Sequence, residues 1–196
     1  AMNIRAKRGI CPHTGPVGYT RAVFTEQMRR DGYTILAPQM SPIHFDLLGP
    51  VLEKHGYHVV VLDNDDRSAI DMGLKYVNND ACFPSITVVG QIMRAVLSGE
   101  YDTDRLAVAM TQTGGCCRAS NYVGFIRRAL ENAGLGHIPV ISINANGMET
   151  NPGFRFSPGL VLDVGRAIVY GDLFMRCLYR VRPYERVPGL SLIHIS

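Results

Sequence analysis

Residues 57–62 read YHVVVL, a near-continuous β-branched run. Such a run offers no polar face to water, so it suits a strand covered on both sides, as in a parallel sheet. Two more short apolar runs follow, RLAVAM at 105–110 and IPVISI at 138–143, and a weaker one, Thr34 to Ala37, precedes. Helical patterns stand between them. Beyond Pro38, Ser41-Pro42 supplies an N-cap and a first-turn proline, and His44, Leu47, Leu48, Val51, Leu52 and His55 recur at helical spacing until Gly56. Ile70, Leu74 and Val77 give a weaker helix, broken by Asn78-Asn79-Asp80. Cys82-Phe83-Pro84 opens the next, with Ile86, Val89, Ile92, Met93, Val96 and Leu97 on one face up to Gly99. Tyr122, Ile126, Ala129, Leu130 and Ala133 mark another, stopped by Gly134 and Gly136. Strands alternating with helical crossovers predict a three-layer, Rossmann-like α/β domain with a parallel sheet over residues 33–145.

The flanks read differently. Residues 1–32 are an irregular lead-in with a helix-like stretch around Phe24 to Arg30. Residues 146–186 begin with the turn chemistry of Asn146-Gly147 and Asn151-Pro152-Gly153. They continue as a helix from about Pro158 to Tyr179, apolar enough to dock on the domain. Residues 187–196 have no partner element in the pattern and are read as a tail outside the functional argument.

Charge excludes some classes. Lys+Arg number 20 against 17 Asp+Glu, a net charge of +3, and the arginines are scattered rather than gathered with aromatics, so nucleic acid is not indicated. No run reaches the ~18 apolar residues of a membrane span, and residues 1–9 lack the apolar stretch of a secretory signal. A cytoplasmic protein is expected. Five cysteines are then reduced thiols, serving as ligands or core, rather than a disulfide framework.

Position separates those thiols. Cys82 lies near the start of its helix, where free N–H groups and the helix dipole favour a thiolate. Cys116 and Cys117 sit in the loop TQTGGCCR, just before the helix that begins near Ser120. In a parallel α/β domain such loops share the crevice beyond the C-terminal strand ends, so thiols distant in sequence converge there. Gly114 and Gly115 free the loop to aim N–H groups inward, which suits cluster sulfides or a phosphate equally. The loop lacks the Lys-Ser/Thr ending of a P-loop and the G-x-G-x-x-G spacing. Arg118 suits a cluster, a carboxylate, a phosphate or solvent. For Cys82 and Cys117, metal ligation, a nucleophile and a redox pair all remain open. Cys11 and Cys177 read as structural, Cys177 as core beside Phe174, Met175 and Leu178. His44 and His55 lie on the inward stripe of their helix as hydrogen-bonded residues, and His13, His58 and His137 are isolated. No G-x-S-x-G or cysteine-protease signature occurs.

The segments ILAPQMSPIHFDLL, YVNNDACFPSITVVGQI, MTQTGGCCRASNYVGFIRRALENAG, IPVISIN and YGDLFMRCLYRVRPYE resemble the C-terminal region of the activase-related proteins of the 2-hydroxyacyl-CoA dehydratase system. The resemblance runs over about residues 30 to 186, and CFP and GGCCRASNY are its specific parts. It implies a Rossmann-like unit whose cysteines hold a [4Fe-4S] cluster, in a system where an ATP-driven activator passes an electron to a dehydratase acting on a 2-hydroxyacyl-CoA. Carried over by position, the ligands are Cys82 and Cys117. Cys116 stands where the family pattern has a third glycine, and is either an extra ligand or an incidental thiol. Such proteins are typically longer, with N-terminal ATPase modules, so the chain resembles a C-terminal part; no ATPase motif is present, and ATP hydrolysis is not carried over. The implied partners are the ATP-dependent activator module or a dehydratase-like subunit, an acyl-CoA ligand, and a second subunit, a homodimer included, to complete a four-ligand cluster. The alternative is a non-catalytic scaffold that binds a CoA thioester or a protein and uses its cysteines structurally.

Overall fold

The computed structural model describes residues 21–63, 66–112, 121–144 and 149–190. Along these residues the chain runs α1 (Glu26–Arg30), β1 (Thr34–Pro38), α2 (Pro42–Lys54), β2 (Val59–Leu62), α3 (Arg67–Tyr76) and α4 (Phe83–Leu97). It continues through β3 (Leu106–Thr111), α5 (Tyr122–Asn132), β4 (Val140–Ile143) and α6 (Pro158–Val181). The four strands form one sheet in the order β2-β1-β3-β4, and every pair is parallel. This is the expected Rossmann-like three-layer α/β architecture with a C-terminal helix. From β1 the chain goes to one side for β2, then crosses to the other for β3, so the topological switch lies between the C-terminal ends of β1 and β3.

The period of two along each strand divides the core. Leu36, Leu62, Leu106, Val108, Met110 and Val140 face the helices α4 and α5. Ile35, Ala107, Ala109 and Ile141 face the opposite way, against Leu160 of α6, Val51 and Leu52 of α2, and Phe24. Phe24, from the irregular lead-in, is thus fully buried. The expected faces of α4 (Val89, Ile92, Met93, Val96) and α5 (Tyr122, Ile126, Ala129, Leu130) are buried.

Helices α3 and α4 touch backbone to backbone. A Cβ on Gly73 would lie 2.0 Å from the Ile86 carbonyl oxygen, and one on Gly90 1.8 Å from that of Ala69. No other residue allows this approach. At the start of α2, Ser41 is the N-cap by position but makes no side-chain cap bond. Its hydroxyl instead lies 2.8 Å from His44 Nδ1, because a ring three residues on competes for it.

Helix α6 docks on α2 through polar groups. His44 Nε2 is 3.1 Å from Asp172 Oδ1, and Asp163 Oδ2 takes both Lys54 Nζ at 2.8 Å and His55 Nε2 at 3.0 Å. Both histidines are therefore hydrogen-bonded, as the helical stripe implied. Gly171 seats the His44 ring; a Cβ there would come within 2.5 Å of it. Cys177 corrects the sequence reading: it is exposed. The inward stripe of α6 is Leu160, Ala167, Gly171 and Leu178. Cys177 precedes Leu178 by one position, about 100° around the helix. Apolar neighbours in sequence did not reveal which side of an all-round apolar helix faces inward. Among the described residues no helix is long and apolar enough to cross a membrane.

Candidate functional site

Cys82 is the N-cap of α4, with proline in the first turn and extended backbone dihedrals. Its carbonyl accepts from Ser85 N–H at 2.9 Å and Ile86 N–H at 3.4 Å, and from Ser85 Oγ at 2.7 Å. The side chain is partly buried and packs against the core between α4 and α5. Its sulfur lies 3.4 Å from the hydroxyl of Tyr122, the first residue of α5. The phenol beside the sulfur holds the Cys82 thiol below its ordinary value, and the Ser85 side chain and N–H act in the same direction against desolvation. A thiolate can only accept, so in that form the phenol donates to it.

This contact joins two helix beginnings. Tyr122 follows Cys117 by five positions, and the helix it opens follows the C-terminal end of β3. The ends of β3 and β4 are tied together: Ser142 Oγ donates to Gln112 Oε1 at 2.6 Å, and Asn144 Nδ2 donates to Ser142 Oγ at 3.1 Å. The other residues expected in the site, Gly114, Gly115, Cys116, Cys117 and Arg118, lie outside the described residues, as do Cys11, His13 and the Asn146-Gly147 turn. Cys82 can hold a soft metal or act as a nucleophile; among the described residues no group of three or more His, Cys, Asp or Glu side chains stands ready for a metal ion.

Sequence reasoning took Tyr122 as a core position only. It is that, being buried, but its hydroxyl is also the link to Cys82; a tyrosine rather than a phenylalanine at the head of a buried helical stripe was the available signal. A second polar arrangement had no sequence signal. Arg127 of α5 grips Glu149 with two bonds, at 2.7 and 2.6 Å, and donates to the Val140 carbonyl at 3.1 Å. Arg21 adds a contact to Glu149 at 3.3 Å. The hydrogen bonds of Arg127, with the charges of Arg127 and Arg21, lower the Glu149 pKa. The clamp fixes the chain after β4 to α5. No family model, curated protein or solved structure matches the chain.

Proposed function

We propose that the chain is an iron–sulfur module related to 2-hydroxyacyl-CoA dehydratase and its activase, with Cys82 and Cys117 as cluster ligands. It would act in electron transfer or in radical dehydration of an acyl-CoA, in the cytoplasm, with an ATP-dependent activator or a dehydratase-like subunit as partner. The observation that carries this reading is the Cys82 sulfur at a helix N-terminus, 3.4 Å from the Tyr122 hydroxyl. A thiol whose pKa is lowered fits the donor chemistry of an iron–sulfur cluster, which is held by thiolates. The same contact brings the start of α4 beside the start of α5, the helix into which the Cys117 loop leads. When bound, the cluster supplies one-electron chemistry. The chain's own part is to hold the Cys82 sulfur as a thiolate and to fix its position through α4 and Tyr122. Arg118, Gly114 and Gly115 are proposed to border the cluster with positive potential, and Cys116 is a further candidate ligand.

One observation favours the scaffold reading: Cys82 is partly buried against the α4–α5 core, as a structural cysteine would be. Anaerobic reconstitution, with iron and sulfide analysis and electron paramagnetic resonance, separates the two. The wild-type chain should retain a cluster, and Cys82→Ser and Cys117→Ser should each drop iron to background. Cys177→Ser, on the exposed side of α6, should leave iron unchanged. Equal iron in all three variants would remove the ligand assignment and leave the scaffold.

A further inference from the structure

On the face of the sheet away from Cys82 lies a cavity of about 290 Å³ between the strands, α2 and α6. Ala37 and Ala109 form its floor, Leu48 and Ile168 belong to its walls, and Phe154 and Phe156 complete the lining. Its origin is visible in the strands. Towards α4 and α5 the central strands present Leu36, Val108 and Met110, whereas towards α2 and α6 β3 presents only Ala107 and Ala109, beside Ile35 of β1. Short side chains under two helices leave unfilled volume. An open apolar pocket of this size beside the C-terminal ends of β1 and β3, the region where doubly wound sheets bind ligands, is suited to an occupant.

The lining decides its chemistry. Thr111, at the C-terminal end of β3, is the one lining residue among those described with a polar side chain, and it is exposed. Water needs two to four polar partners and gains few from an apolar lining, so such a pocket favours apolar guests. A carbon-sized group occupies roughly the volume of a water molecule in the liquid, roughly 30 Å³, so on the order of ten such groups fit. We propose that this cavity binds an uncharged apolar small molecule of about that size, its single polar end at Thr111. The site is independent of Cys82, which lies across the sheet.

A series of n-alkan-1-ols tests it, with binding followed by methyl chemical shifts of Leu48, Val164 and Ile168. Affinity should rise about fourfold per methylene, then level off near decan-1-ol as the cavity fills. Ala109→Leu, which occupies the floor, should weaken decan-1-ol at least tenfold while hexan-1-ol changes less; Ala37→Leu carries the same reading if Ala109→Leu does not fold. Leu162→Ser with Val169→Ser, on the exposed side of α6, should leave binding unchanged. Absence of saturable binding, undiminished decan-1-ol affinity in the filled variants, or loss of binding in the α6 double variant would each overturn the assignment.

Discussion

One sheet carries two unequal interiors. Towards α4 and α5 the packing is complete: α4 buries Ile86, Val88, Val89, Ile92, Met93 and Val96, among others. Towards α2 and α6 it is not. Helix α2 buries no residue, and a cavity of about 290 Å³ remains between α2, α6 and the strands. The same strands serve both faces, so the difference comes from which residues alternate along them and from how each helix is attached. Branched and long side chains interdigitate on one side. On the other, the alanines of β3, between Ile35 and Ile141, face helices held by carboxylate pairs. Tight packing and a polar thiol site thus share one face, and among the described residues the cavity of about 290 Å³ lies on the other.

The largest test of this contrast removes volume from each side. Ile92→Ala should cost about 2–5 kcal/mol in urea denaturation, the usual range for a fully buried aliphatic residue. Leu48→Ala, which borders existing free volume, should cost less than about 1 kcal/mol, because little new contact is lost. Equal losses would mean that both faces are packed alike.

A second test adds a methyl group. Gly90→Ala drives a Cβ into the Ala69 carbonyl and should destabilise by about 1–3 kcal/mol or more. Gly165→Ala on α6, where a Cβ would meet nothing within 4 Å, should raise stability by up to about 1 kcal/mol through helix propensity.

The smallest effect is electrostatic. Lys54 and His55 hold the Asp163 carboxyl at a pKa of about 2, below its ordinary 3.8. Because the folded-state value is the lower one, the attachment contributes stability above pH 3.8, and that contribution is lost as pH falls towards 2. Asp163→Asn should therefore melt below the wild type near neutral pH, by a small margin because the Lys54 partner is exposed to solvent. The two melting curves should converge near pH 2; a gap of constant size across that range would detach the effect from this carboxylate.

The sequence made the packed side the more legible one. YHVVVL, RLAVAM and IPVISI marked strands because β-branched runs report burial directly, and the faces of α4 and α5 followed from helical period. The strand marked by YHVVVL starts later than its run, at Val59, because pairing with β1 begins at Ile35 opposite Val59; Tyr57 turns instead to Phe154, with ring centroids 4.7 Å apart. The looser side was harder to read. Apolar residues surround α6, so period could not say that Cys177 faces outward, and Asp163 and Asp172 meet α2 across more than a hundred residues of chain. In the candidate site, the helix-start position of Cys82 was legible because a proline marked it. The Tyr122 hydroxyl was not, since a hydrogen bond across forty residues leaves no local pattern.

The crossing at Gly73 and Gly90 has a mechanical consequence. Elsewhere helices meet through side chains that can change rotamer and absorb a displacement, but here carbonyl oxygens press on bare Cα atoms and no compliant layer separates α3 from α4. The two helices meet as one closely fitted unit. Cys82 stands at one end of it, and Asp66, which caps α3 and pairs with Arg94 of α4 at 2.9 Å, stands at the other. A side chain at either glycine would therefore have to move one helix off the other, and with α4 its N-cap Cys82.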